Sequence, residues 1–227
     1  MEIINNAKSL EKAFTQYHIP ENFQYFEEYR PYFHMLHFKK GELIYQTDYL
    51  RHQYLLFFLS GKAKVCSNLS NGKSLLVCFH TTFQLLGELE LYHIDTSTVT
   101  VQALEPCTCI SLEIGDIRSR LMTDPLFLQF TAKSLAEKLA HATANNSINL
   151  LYPLENKLAS YIYQVSDNNE FSENLTQLSE LLGTSYRHLL RTLKAFILDE
   201  ILEKGENGYL IKNREKLREL AQDLYLT

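Results

Sequence analysis

Residues 175–194 read LTQLSELLGTSYRHLLRTLK, and the spacing of this stretch decides the fold around it. Leu178, Leu181 and Leu182 recur at the i, i+3, i+4 steps of one apolar helical stripe, which leaves Thr176, Gln177, Ser179 and Glu180 for solvent. Gly183 stops that helix, because glycine takes a left-handed conformation cheaply, and Thr184 and Ser185 offer hydroxyls to cap the next one. A second helix is predicted from about Tyr186. Its Leu189, Leu190, Leu193, Phe196 and Ile197 face the body of a domain, while Tyr186, Arg187, His188, Arg191 and Lys194 lie on or beside the other face.

Two short helices around a tight turn, with a basic face on the second, suit the major groove of double-stranded DNA. Arginine donates two parallel hydrogen bonds to O6 and N7 of guanine, which makes Arg187 and Arg191 the candidate base readers. Ser185, Tyr186 and Lys194 are assigned to phosphates, which fix register without reading sequence, and Thr184 and His188 complete the set. The alternative is an ordinary amphipathic hairpin with a solvated basic face. Past the second helix, ILEKGENGYLI over 201–211 is an apolar pair, a Gly- and Asn-rich turn and a second apolar run, which predicts a small hairpin or wing. Lys204 and Lys212 flank it as candidate phosphate contacts, and Asn213 caps a last helix from Arg214 to about Leu224.

The whole chain has 227 residues, 45% hydrophobic and 22% charged, which describes a soluble globular protein long enough for two modest domains. The amino terminus lacks a basic-then-apolar leader, and no run of about 18 apolar residues exists to span a bilayer, so a cytoplasmic protein without membrane contact is expected. A formal charge of −5 argues against an indiscriminate polyanion binder. Beyond Leu150 there are nine Lys and Arg against twelve Asp and Glu, so the positive field must come from the cluster Arg187, His188, Arg191 and Lys194.

Upstream, residues 38–112 carry short apolar runs punctuated by Gly41, Gly61, Asn71-Gly72 and Gly87, the pattern of a small antiparallel β-structure. Asn71-Gly72 between KAKVCSNLS and KSLLVCF signals a hairpin with a type I′ turn. Alternation puts Leu75, Val77 and Phe79, and likewise Val99, Val101 and Ala103, on one inward face. The glycine-bearing bend LLGELEL over 85–91 suggests a pocket for a small-molecule effector. Asp124 and Pro125 then open one long helix to about Asn149. Leu128, Ala132, Leu135, Leu139 and Ala142 alternate by four and three, the seam of a two-stranded coiled coil, with Asn146 as a polar register residue, so this helix is expected to form a homodimer. The competing expectation is a helix simply packed on the roll. Amino-terminal helices around 5–17 and 21–29 are expected to pack Phe14, Phe23 and Phe26 on the same roll.

This order of parts resembles the Crp/Fnr family, the transcription regulators related to the catabolite activator protein and the oxygen regulator FNR, and within it the YeiL-type branch. FKKGELIYQTDY, LSNGKSLLVCF, LLGELEL and LSELLGTSYRHLLRTLK carry the resemblance, which covers nearly the whole chain. It implies an α+β fold: a cyclic-nucleotide-binding-like β-roll (a jelly roll) with amino-terminal helices over 1–123, a dimerisation helix over 124–149 and a winged helix-turn-helix over 150–227. It further implies a homodimer on a two-fold symmetric promoter site, with RNA polymerase as a partner, and no enzymatic activity. Gly87, Glu88, Leu89, Ser97 and Thr98 take the effector-pocket positions. Ser97 and Thr98 stand where the cyclic-AMP binders have an Arg-Ser pair, and loss of that bidentate arginine argues against cyclic AMP and leaves the effector unidentified. Tyr186 and Arg187 likewise replace the family's Arg-Glu, which predicts a different operator.

Cys107 and Cys109, two apart on a predicted strand, share a face; a metal or regulatory disulfide is one reading and buried structural thiols the other. His34, His37, Glu88, Glu90 and His93 form no recognised ligand spacing, so no metal or cofactor is expected. Besides the DNA-binding regulator, a regulatory binding module of the same fold without DNA activity remains as the alternative reading.

Overall fold

Two antiparallel sheets arise from the β-branched and aromatic runs of the first half of the chain. The five-stranded sheet runs Glu2–Ile4, Phe33–Phe38, Cys107–Glu113, Tyr54–Ser60, Gln84–Leu86. The four-stranded one runs Leu43–Gln46, Thr98–Ala103, Ala63–Asn68, Ser74–His80. Tyr54–Ser60 reads YLLFFLS and is buried on both faces along most of its length, as a central strand's continuous apolar run requires. It pairs Phe57 with Ile110 and carries a bulge between Phe58 and Ser60. This computed structural model describes residues 2–4, 7–46, 54–94, 98–222 and 224–226. The mixed α+β roll is as expected, although its sheets begin upstream of Phe38.

Phe14, Phe23, Phe33, Phe57 and Phe127 share one buried cluster, with the Phe23 ring stacked on Phe127 at 5.4 Å. The expected helix over 21–29 is broken. A short 3-10 turn, Ile19–Asn22, is followed by extended Phe23, and a single helical turn forms only at Phe26–Tyr29. The buried Asp124 carboxylate explains the break, because it accepts from the Gln24 N–H at 2.9 Å and the Tyr25 N–H at 3.4 Å and so holds them outside any helix. The same carboxylate accepts from the Leu126 and Phe127 N–H groups at 3.1 Å, the cap that starts the long helix Pro125–Leu151.

The chain divides into two units, residues 1–65 with 80–141, and 66–79 with 142–226. The hairpin arm at 66–79 thus belongs with the second unit. Its turn closes through Leu69 N–H to Lys73 O at 2.7 Å and Gly72 N–H to Leu69 O at 2.9 Å. Of the Asn-Gly pair only Gly72 has a positive φ, 79°, so the turn is a type I turn with a glycine bulge and not the expected type I′. The inward face is also offset from the expected one. Leu76, Cys78 and His80 are buried together with Phe79, while Leu75 and Val77 are half-buried, because both faces of this strand are apolar and alternation alone could not choose between them.

In the second unit, Leu154–Val165 and Arg214–Ala221 flank the pair Leu175–Leu181 and Tyr186–Leu198. A three-stranded sheet of Glu170–Phe171, Tyr209–Ile211 and Leu202–Lys204 completes it. The last helix ends at Ala221, short of the expected Leu224. Gly208 is required in the wing, since a Cβ there would meet the Phe171 carbonyl oxygen at 2.3 Å.

Candidate nucleic-acid interface

Each helix of the pair is capped at its amino end by its own sequence. Asn174 accepts from the Thr176 and Gln177 N–H groups at 3.0 and 3.1 Å, and Ser185 accepts from the His188 N–H at 3.2 Å. Gly183, with φ 62°, makes the turn between the helices. Leu178, Leu181, Leu182, Leu189, Leu193 and Phe196 are buried, so the two helices are locked on one apolar core. Ser179, expected in solvent, is buried with its hydroxyl donating to the Thr176 carbonyl at 2.8 Å. Leu190, expected inside, is 38% exposed: its position falls one step outside the buried stripe Leu189, Leu193, Phe196.

What this core leaves outward is a polar and basic ridge. Tyr186, Arg187, Arg191 and Lys194 are exposed along one side of the second helix, four, then three residues apart from Arg187 onward. Ser185 is exposed at its amino end, and Thr184 and His188 are half-buried, with Thr184 Oγ1 3.4 Å from His188 Nδ1. The ridge can present two guanidinium forks and an ammonium to a polyanion. In the wing Lys204 and Lys212 are exposed, but the Lys212 ammonium lies 2.9 Å from Glu203, whose carboxylate raises the lysine above its ordinary pKa. A phosphate at Lys212 must compete with that internal partner. Among cations the sequence did not single out, Arg214 lies over the Tyr163 ring at 4.8 Å and donates to Asn169 Oδ1 at 3.1 Å, beside the strand Glu170–Phe171.

The expected effector residues are arranged differently. Gly87 is buried with φ 96°, and a Cβ on it would meet the Tyr54 carbonyl oxygen at 2.9 Å, so this glycine serves close packing. Leu89 is half-buried. Glu88, 1% exposed, has its Oε1 engaged by Lys138 Nζ at 2.6 Å and the Ser134 hydroxyl at 2.9 Å, both from the long helix. Lys138 Nζ also donates to the Leu85 carbonyl. Thr98 opens its strand, and Ser97 lies outside the described residues. Oε1 of Glu88 is thus held by the long helix. The sequence reading missed Ser134 and Lys138, although their i, i+4 spacing on one face was visible. A separate cleft of about 350 Å³ lies between Tyr17, Phe83, Phe130 and Lys133.

Cys107 and Cys109 are fully buried; burial pushes the Cys107 thiol up to about 11 and Cys109 higher still, which disfavours the reactive thiolates. Among the described residues no group of three or more His, Cys, Asp or Glu is placed to hold a metal. None of the described helices is long and apolar enough to cross a membrane.

Along the long helix Leu128 and Leu135 are half-buried, Ala132, Ala142 and Asn146 are exposed, and Leu139 is 70% exposed.

Comparison with known proteins places two family models on the chain, a cyclic nucleotide-binding domain over residues 35–124 and a Crp-like helix-turn-helix domain over 156–220. The regulatory protein YeiL of Escherichia coli O157:H7 is 35% identical over 190 residues, 84% of this chain and 86% of that protein. The probable transcriptional regulator flp of Lacticaseibacillus casei is 26% identical over 194 residues, 81% of this chain and 85% of that protein. A Crp/Fnr-family structure from Eubacterium rectale superimposes with a TM-score of 0.72 at 14% identity, covering 88% of this chain and 99% of that one.

Proposed function

We propose, for a chain that belongs to the Crp/Fnr family of transcription regulators, that it reads a two-fold symmetric promoter site as a homodimer. The chain is a DNA-binding regulator of the Crp/Fnr type; the proposal concerns how it binds. The observation that carries it is the exposed ridge Arg187, Arg191 and Lys194 on a helix whose other side is locked into the core. Arg187 and Arg191 read bases, Ser185, Tyr186 and Lys194 hold phosphates beside Thr184 and His188, and Lys204 and Lys212 extend the phosphate contacts along the wing. The working division is 1–123 for the roll, 124–149 for the dimer helix and 150–227 for the reader.

Dimerisation runs through Leu128, Leu135, Leu139 and Ala142. Their heptad spacing along a 27-residue helix, with Leu128 and Leu135 half-buried and Leu139 and Ala142 exposed, supports a two-stranded seam. The protein acts in the cytoplasm, with RNA polymerase at the promoter and with no enzymatic step. Its effector is not cyclic AMP, because Ser97 and Thr98 stand where the cyclic-AMP binders have the Arg-Ser pair that holds the phosphate. Sedimentation of the wild type and of Ala142→Glu tests the dimer. The wild type should run as a dimer, and a charge buried in the seam should give monomers that bind operator DNA at least tenfold more weakly; an unchanged dimer would overturn the assigned seam.

A further inference from the structure

The segment Leu224–Leu226 is held more tightly than a surface strand end requires. Tyr225 is 1% exposed, and its φ of 68° is a left-handed conformation rare for an aromatic residue, sustained only where the surroundings dictate it. Its hydroxyl donates to Asn149 Oδ1 at 2.6 Å, in the final turn of the long helix. Its carbonyl accepts from the Phe79 N–H at 2.8 Å, and Leu226 forms a parallel bridge with Phe79, so the segment adds to the edge of the hairpin arm. The Leu224 carbonyl accepts from the buried Ser160 hydroxyl at 2.6 Å, on the helix Leu154–Val165, where Tyr161 also packs its ring 6.0 Å from that of Phe79. At the arm's outer strand, Leu75 Cδ1 lies 3.7 Å from where a Cβ on Gly183 would sit, so the arm also reaches the turn of the helix pair.

We propose that Leu224–Leu226 is a tether that fixes the reader module against the arm and the end of the long helix, with Tyr225 as a positioning residue for DNA binding that touches no DNA itself. The main-chain bond to Phe79, part of its bridge with Leu226, and one hydroxyl bond to Asn149 join three elements that are otherwise far apart in sequence. Any displacement of the arm is therefore carried to the reader through backbone. The inference rests on the two-fold operator of the preceding section, since two readers engage both half-sites at once only when each is held at a set spacing, and looser readers lower the effective concentration of the second contact.

The test uses the full chain and two duplexes: the operator that the intact protein selects from a random-sequence pool, and a duplex carrying half of it. Tyr225→Ala should weaken the two-half-site complex about tenfold and Asn149→Ala about threefold, both leaving half-site binding within twofold. Amide hydrogen exchange should rise at Phe79 in both variants, with the helix Tyr186–Leu198 staying protected. Equal weakening on both duplexes would reduce Tyr225 to a structural role and overturn the proposal, as would unchanged exchange at Phe79. If the intact protein binds both duplexes equally, the two-fold reading fails instead, and exchange at Phe79 still decides whether the tether exists.

Discussion

At the scale of single residues the helix pair and its exposed basic face were legible because capping, turn and amphipathic signals agree over one short stretch. Ser185, Gly183 and the leucines of 178–193 each constrain the same two helices. Arg187→Ala and Arg191→Ala should each cost about 1–3 kcal/mol of operator binding and relax preference at one base step, measured by fluorescence anisotropy on singly substituted duplexes. The surroundings of Glu88 were not legible, because a sequence shows Glu88 but not that Lys138, fifty residues on, reaches it. Lys138→Met strands a buried carboxylate and should cost about 3 kcal/mol in urea unfolding, the low end for such a pair because the lysine is 31% exposed. Adding Glu88→Leu should recover part of that loss. His80 was passed over entirely. Burial, with Lys138 and His141 nearby, depresses it to about 3, so it is neutral when folded while the unfolded chain takes up a proton below about 6.5. Stability is thus full above pH 6.5 and lost as pH falls toward 3. Between pH 6.5 and 5 the wild type should lose about 2 kcal/mol more than His80→Gln, read from denaturant midpoints.

At the scale of elements, ends were easier to read than faces. Asp124 and Pro125 announced the long helix, and Asn213 the last one, because a cap is a local chemical fact: both side chains accept from N–H groups two or three residues on. Ser185→Ala should accordingly cost about 1 kcal/mol of stability by thermal unfolding. It should also weaken DNA binding, as the same hydroxyl stands at the exposed start of the reader helix. Faces failed where both sides of an element are apolar. Strand Ser74–His80 buries Leu76 and Cys78 on one side and Phe79 on the other, so period-two alternation had no polar partner to orient it. The break after Asn22 was hidden for a different reason: it is imposed by Asp124, a hundred residues away, and not by any local breaker except Pro20. The third strand of the wing, Glu170–Phe171, is two residues long and carries no pattern of its own.

At the scale of the whole molecule the order of roll, long helix and winged reader was visible, since each part has its own period and its own punctuation. The allotment of the arm 66–79 to the same unit as the reader was not, because it depends on backbone contacts with a segment some 150 residues later. With −5 net charge spread over 227 residues, only a local basic ridge can draw this chain to DNA, so binding should be specific and strongly salt-dependent. The measurement that tests this most directly is selection: the purified protein is mixed at moderate salt with random-sequence duplexes and the retained DNA is sequenced, then again with Arg187→Ala. The expected result is an inverted repeat with half-sites about 34–36 Å apart, lost or altered at one base step in the variant. Retention of DNA without a shared sequence, or an identical motif with Arg187→Ala, would contradict the account.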